Sequence, residues 1–123
     1  MNLNQVTVEV SDIARARDFY QTLGLKLIVL SEHYARFVCP GGATFSVHLA
    51  ERVMPSGTLI YFECEDLDAR HARLVDAGVI FDSAPTDQRW LWREARLSDP
   101  DGNRLCLYWG GENRVNPPWR VAG

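Results

Sequence analysis

Leu97-Ser98-Asp99-Pro100-Asp101-Gly102-Asn103-Arg104-Leu105-Cys106-Leu107-Tyr108-Trp109 reads as a tight turn between two strands. Five turn formers stand together in it. Proline presets its own φ, glycine accepts positive φ, and Asp and Asn bond their own backbone. After the turn, Leu105, Leu107 and Trp109 alternate with Cys106 and Tyr108, as in a strand with two unlike faces. The first half holds a weaker echo, with Pro40-Gly41-Gly42 followed by Phe45, Val47 and Leu49 alternating with Ser46 and His48. Gly42 and Gly102 lie sixty positions apart, and so do Ser46 and Cys106.

The echo points to an internal repeat. An offset of fifty-four lays Val6-Thr7-Val8-Glu9-Val10-Ser11-Asp12-Ile13 over Ile60-Tyr61-Phe62-Glu63-Cys64-Glu65-Asp66-Leu67, and Gly24 over Gly78. The second copy then carries about six extra residues around Thr86 to Trp92. The chain thus reads as one domain of two units, about 3–53 and 54–110, with a tail over 111–123.

Composition bounds the function. Of 123 residues, 46% are apolar and 24% charged, which suits a globular core. A formal charge of −3, with scattered Arg and a single Lys, argues against a nucleic-acid binder. No apolar run is long enough for a membrane span, and the first residues lack the features of a signal peptide. Three cysteines without metal-like spacing suit free thiols in a reducing cytoplasm.

In chain order, Gln5 to Val10 is expected to be a strand. Asp12 caps a helix from Ile13 to about Leu23, with Gly24 ending it. Leu25–Leu30 is β-prone, Ser31–Tyr34 a turn, and Ala35–Cys39 with Thr44–Ala50 a hairpin. Glu51–Gly57 links the halves. Thr58–Cys64 restarts the pattern, and a second helix runs to about Ala77 with Leu67, His71, Leu74 and Val75 inward. Val79–Asp82 is expected to be a short strand, Ser83–Arg89 a polar loop, and the tail around Trp119 ordered. The expected fold class is α+β: two βαβββ units forming a curved mixed sheet around a cleft, helices outside.

Val10-Ser11-Asp12-Ile13, Phe19-Tyr20 and Leu23-Gly24-Leu25 near the start, paired with Asp99-Pro100-Asp101-Gly102-Asn103 near the end, resemble the vicinal oxygen chelate superfamily. That group includes glyoxalase I, bleomycin and fosfomycin resistance proteins, and extradiol dioxygenases. The resemblance implies a homodimer and a cleft that often holds one divalent metal, with ligands from four strand positions. Those positions here are Gln5, Ser46, Leu59 and Cys106. Leu cannot bind a metal, and Ser and Gln are weak ligands. The expectation is therefore no cofactor, with a divalent metal as the departure from it.

Strand parity sets Gln5, Thr7, Glu9, Ser46, His48, Tyr61, Glu63, Cys106 and Tyr108 on the inner face, a polar and aromatic lining suited to a small-molecule ligand. The acidic pair Glu9 and Glu63 would favour a cation. His48 is a candidate acid–base group if Glu63 or Glu9 orients it, or else a hydrogen-bonded wall residue. His48, Glu9 and Glu63 together could make an atypical metal site. Cys106 reads as a packed thiol. Trp90 and Trp92 would stack a flat ligand, with Arg89 or Arg93 holding an anion, or else pack in a core or dimer seam. The reading is a small-molecule binder of this superfamily. Its alternatives are a lyase, isomerase or dioxygenase of the same superfamily, and a non-catalytic interaction module.

Overall fold

The computed structural model describes residues 1–54 and 56–123. Its element order is β1 (Gln5–Val10), α1 (Ile13–Leu23), β2 (Lys26–Leu30), β3 (Tyr34–Val38), β4 (Thr44–Leu49), β5 (Leu59–Glu63), α2 (Leu67–Asp76), β6 (Thr86–Asp87), β7 (Arg93–Ser98) and β8 (Arg104–Trp109), then a 3-10 turn at Gly111–Arg114. The strands form two four-stranded mixed sheets, ordered β1-β4-β3-β2 and β5-β8-β7-β6. The fold is α+β, built from two βαβββ units. Among the described residues, no helix is long and apolar enough to cross a membrane.

The chain divides into a first unit of Met1–Ser56 with Asp99–Asn103, and a second of Gly57–Ser98 with Arg104–Gly123. The expected link Glu51–Gly57 falls at this boundary, and its Pro55 lies outside the described residues. The turn Asp99–Asn103, which belongs to the second repeat by sequence, packs with the first unit.

In the first unit, Asp12 accepts a hydrogen bond from the Arg15 amide at 3.0 Å and so starts α1. Gly24, at φ 110°, ends it in the left-handed conformation. The helix buries Ile13, Ala16, Tyr20 and Leu23. Tyr20 meets Phe45 and Phe37 at ring-centroid distances of 4.7 and 5.8 Å. Fully burying each of these side chains is worth roughly 1.5–3 kcal/mol. Strand parity sends Ala35, Phe37, Phe45 and Val47 to this core and Tyr34, Arg36, Ser46 and His48 to the other face. Tyr34 is thus the first residue of β3 rather than part of a turn. On edge strand β2, Ile28, Val29 and Leu30 remain exposed.

In the second unit, α2 buries Leu67 and Leu74. Val75, expected inward, is exposed, and His71 packs edge-on against Phe81 at 4.5 Å. Asp66 makes no cap bond and instead pairs with Arg70 and Arg73. Val79–Asp82 contributes only a single bridge, Phe81 to Leu97, while Thr86 and Asp87 of the expected loop form β6. β6 lies within the six extra residues of the second copy. Trp119, expected to be covered, is 57% exposed.

Candidate functional site

The register repeats the same grid twice. In the first unit, β4 runs between β1 and β3, so the rows on the sheet face turned away from α1 are Gln5–Thr44–Val38, Thr7–Ser46–Arg36 and Glu9–His48–Tyr34. In the second unit, β8 runs between β5 and β7, giving Leu59–Arg104–Ser98, Tyr61–Cys106–Arg96 and Glu63–Tyr108–Glu94. The offsets of fifty-four and sixty read from the sequence relate each row to its partner.

The first grid is a web of hydroxyls around one guanidinium. Thr7 Oγ1 and Ser46 Oγ lie 2.6 Å apart, and Ser46 is fully buried. Arg36 Nε donates to the Tyr34 hydroxyl at 2.8 Å. A hydrogen bond to Ser46, aided by Arg36 and opposed by desolvation, holds the Tyr34 phenol below its usual range. His48 is exposed beside Glu9, and among the described residues no hydrogen bond or ion pair joins it to a carboxylate. The carboxylate proposed to orient it from the second unit, Glu63, pairs instead with Arg114 at 3.7 Å.

The second grid is aromatic and charged. Tyr61 meets Trp92 and Tyr108 edge to face at 5.6 and 5.3 Å, and Trp92 lies over Tyr108 at 4.7 Å. Glu94 is 1% exposed, and both its oxygens are occupied. Oε1 accepts from Arg96 at 3.0 Å, and Oε2 accepts from the Trp90 indole at 2.7 Å. This satisfied pairing is what permits a buried carboxylate. Hydrogen bonding to Glu94 raises the Arg96 pKa, so the guanidinium stays charged. Desolvation raises the Tyr61 and Tyr108 phenols, keeping both as neutral donors. The Trp92 indole donates to the Asn113 carbonyl at 3.2 Å. The two tryptophans bracket Leu91, whose φ of 68° is left-handed without glycine.

Other expected residues fall elsewhere. Arg93 has odd parity and turns to the helix side of the sheet, where Asp68 and Asp87 hold it at 2.9 and 3.0 Å. It is not available to an anion beside Trp92. A crevice of about 570 Å³ in the first unit is lined by Ile13, Arg17, Leu30 and Glu32 among others, and contains none of the expected site residues.

The four family ligand positions do not fit a divalent ion. Gln5 Oε1 accepts from Thr44 Oγ1 at 2.8 Å, and Ser46 is engaged with Thr7. Leu59 offers no donor. Cys106 is fully buried, and desolvation pushes its thiol up to about 12, so the thiolate that metals and electrophiles require is disfavoured. Among the described residues, no three His, Cys, Asp or Glu side chains converge.

The two terminal motifs meet. The Tyr20 hydroxyl donates to Asp99 Oδ2 at 2.7 Å, the Ser11 amide to Asp101 at 3.1 Å, and the Asn103 side chain to the Glu9 carbonyl at 2.9 Å. A family model described as the Glyoxalase/Bleomycin resistance protein/Dioxygenase superfamily matches residues 2–107. The chain belongs to this superfamily. It is 27% identical to the uncharacterized protein YraH of Bacillus subtilis (strain 168), over 88% of this chain and 98% of that protein. A superfamily member from Sphaerobacter thermophilus DSM 20745 is 29% identical with a TM-score of 0.73, over 89% of this chain and 97% of the other. A glyoxalase/bleomycin resistance protein/dioxygenase from Nocardioides shares the fold at TM-score 0.79 and 22% identity, over 99% and 90%.

Eight residues of these grids escaped the sequence reading: Tyr34, Arg36, Val38, Thr44, Glu94, Arg96, Ser98 and Arg104. A signal was present. Tyr34-Ala35-Arg36-Phe37 lies over Glu94-Ala95-Arg96-Leu97 at the same offset of sixty that relates Ser46 to Cys106.

Proposed function

We propose that this superfamily member binds a small organic molecule on the sheet face of its second unit turned away from α2, and does so without a divalent metal. The observation that carries this reading is Tyr61, Trp92 and Tyr108 in mutual contact beside a buried Glu94–Arg96 pair. Rigid aromatic surface with a few fixed polar groups is the usual lining of a small-ligand site. A Cys106 thiol held neutral by burial, and a His48 that among the described residues has no carboxylate partner, support binding rather than turnover. Poor donors at the four ligand positions support metal independence.

The test is a thermal-shift and tryptophan-fluorescence screen of chelator-treated protein against aromatic small molecules, followed by the best binder on Trp92→Leu. Saturable binding that Trp92→Leu weakens at least tenfold supports the reading. Binding only after Zn²⁺, Ni²⁺ or Mn²⁺ is restored, or binding indifferent to Trp92, overturns it.

A further inference from the structure

This inference rests on the reading above and names the ligand class. We infer that the second unit's face takes an aromatic carboxylate, its ring against Tyr61 and its anionic group between Arg96 and Arg104.

Parity places Arg104, Cys106 and Tyr108 on one face of β8. Cys106 sits between Tyr61 and Arg96 in one row, and Arg104 occupies the next row, diagonal to both. Diagonal neighbours in a sheet are within reach of long side chains. Both guanidiniums are close enough to act electrostatically on the Tyr61 phenol. Tyr61 is itself 40% exposed, leaving ring surface for a ligand to cover.

The charges on this face leave a positive excess. Glu94 offsets Arg96, and Arg114 pairs with Glu63 at the far end. Among the described residues, no ion pair engages Arg104. Glu94 takes one Arg96 nitrogen, and that side chain is still 34% exposed, so it retains donors for a ligand. Planar guanidinium forks match carboxylates in two-point hydrogen bonds. A cationic ligand would meet Arg104 and find Glu94 sealed and Glu63 paired, which reverses the preference expected from the acidic residues in the sequence.

The repeat supplies an internal contrast. Arg36 matches Arg96, but Thr7, Thr44 and His48 stand in the first unit where Tyr61, Arg104 and Tyr108 stand in the second. Among the described residues of the two grids, the exposed aromatic surface and the second cation occur together in the second unit alone.

The experiment is calorimetric titration of chelator-treated full chain with 2-naphthoate, 2-naphthylmethanol and 2-naphthylmethylammonium. The expected result is naphthoate binding at least tenfold tighter than the alcohol, with the ammonium weakest. Arg104→Met, at an exposed side chain without an ion-pair partner, should remove about tenfold of naphthoate affinity and leave the alcohol unchanged. If the alcohol or ammonium binds as well as naphthoate, or Arg104→Met changes nothing, the anionic assignment falls while small-molecule binding stands. If none of the three binds, both fall.

Discussion

Replacing Arg96 by methionine strips the cation from a carboxylate that is 1% exposed. Glu94 would keep its 2.7 Å bond to the Trp90 indole and lose the 3.0 Å charge-assisted bond to Arg96. Breaking a fully buried ion pair from one side costs about 3–5 kcal/mol. Arg96 is 34% exposed, so water screens the pair, and about 2–3 kcal/mol is the better figure. For a chain of this size that loss lowers Tm by about 8–12 °C. The assay is urea denaturation followed by circular dichroism, on wild type, Arg96→Met, Glu94→Gln and the double variant. Removing both charges leaves no buried charge uncompensated, and the glutamine oxygen still accepts from the Trp90 indole, so the double variant should recover at least about 1 kcal/mol relative to Arg96→Met. An Arg96→Met loss under about 0.5 kcal/mol, or a double variant less stable than the single, would refute the claim that Arg96 compensates the buried Glu94 carboxylate.

Tyr20→Phe should cost about 1.5–3 kcal/mol at pH 8 by chemical denaturation, because a buried hydroxyl donates to the Asp99 carboxylate. Burial and Asp99 raise the Tyr20 pKa, so its stabilisation is complete below the unfolded value near 10 and declines as pH rises toward the higher folded value. Wild type should therefore lose more stability than Tyr20→Phe between pH 9 and 11, and an equal loss would contradict the raised phenol. Gly110→Ala places a Cβ 2.9 Å from Trp92 Nε1, so it should shift that ring, change tryptophan emission and cost about 1–3 kcal/mol in a urea melt. Native protein at pH 8 should react with a thiol reagent at half-exposed Cys39 well before Cys106, whose thiol stands near 12; rapid modification of Cys106 by peptide mapping would contradict that.

Much of the fold was legible because its punctuation is local. Asp12, Gly24 and the Asp99–Asn103 turn act through neighbouring backbone, and alternation over β4 and β8 assigns faces from two-residue spacing alone. The repeat offsets even placed Ser46 and Cys106 at equivalent points before any register was known. What stayed hidden depends on pairing across strands. Arg93 looked like an anion holder because it adjoins Trp92, but odd parity turns it toward Asp68 on α2. Glu94 and Arg96 drew no notice in the sequence, and it is the register that sets them beside Tyr108 and Cys106. Asp99 looked like turn chemistry alone, since its partner Tyr20 stands far away in sequence. Val75 follows helical spacing yet is exposed, because Leu67 and Leu74 carry the α2 contact.

The most direct test is a ¹H–¹⁵N spectrum of chelator-treated protein titrated with 2-naphthoate, read at the four tryptophan indole N–H signals. The Trp90 and Trp92 signals should move together and saturate, with Trp109 on the opposite strand face and Trp119 in the tail unmoved, and added Zn²⁺ should leave the affinity unchanged. Movement confined to Trp109 or Trp119, or movement that appears only once Zn²⁺ is present, would contradict a metal-independent site on the second unit's face.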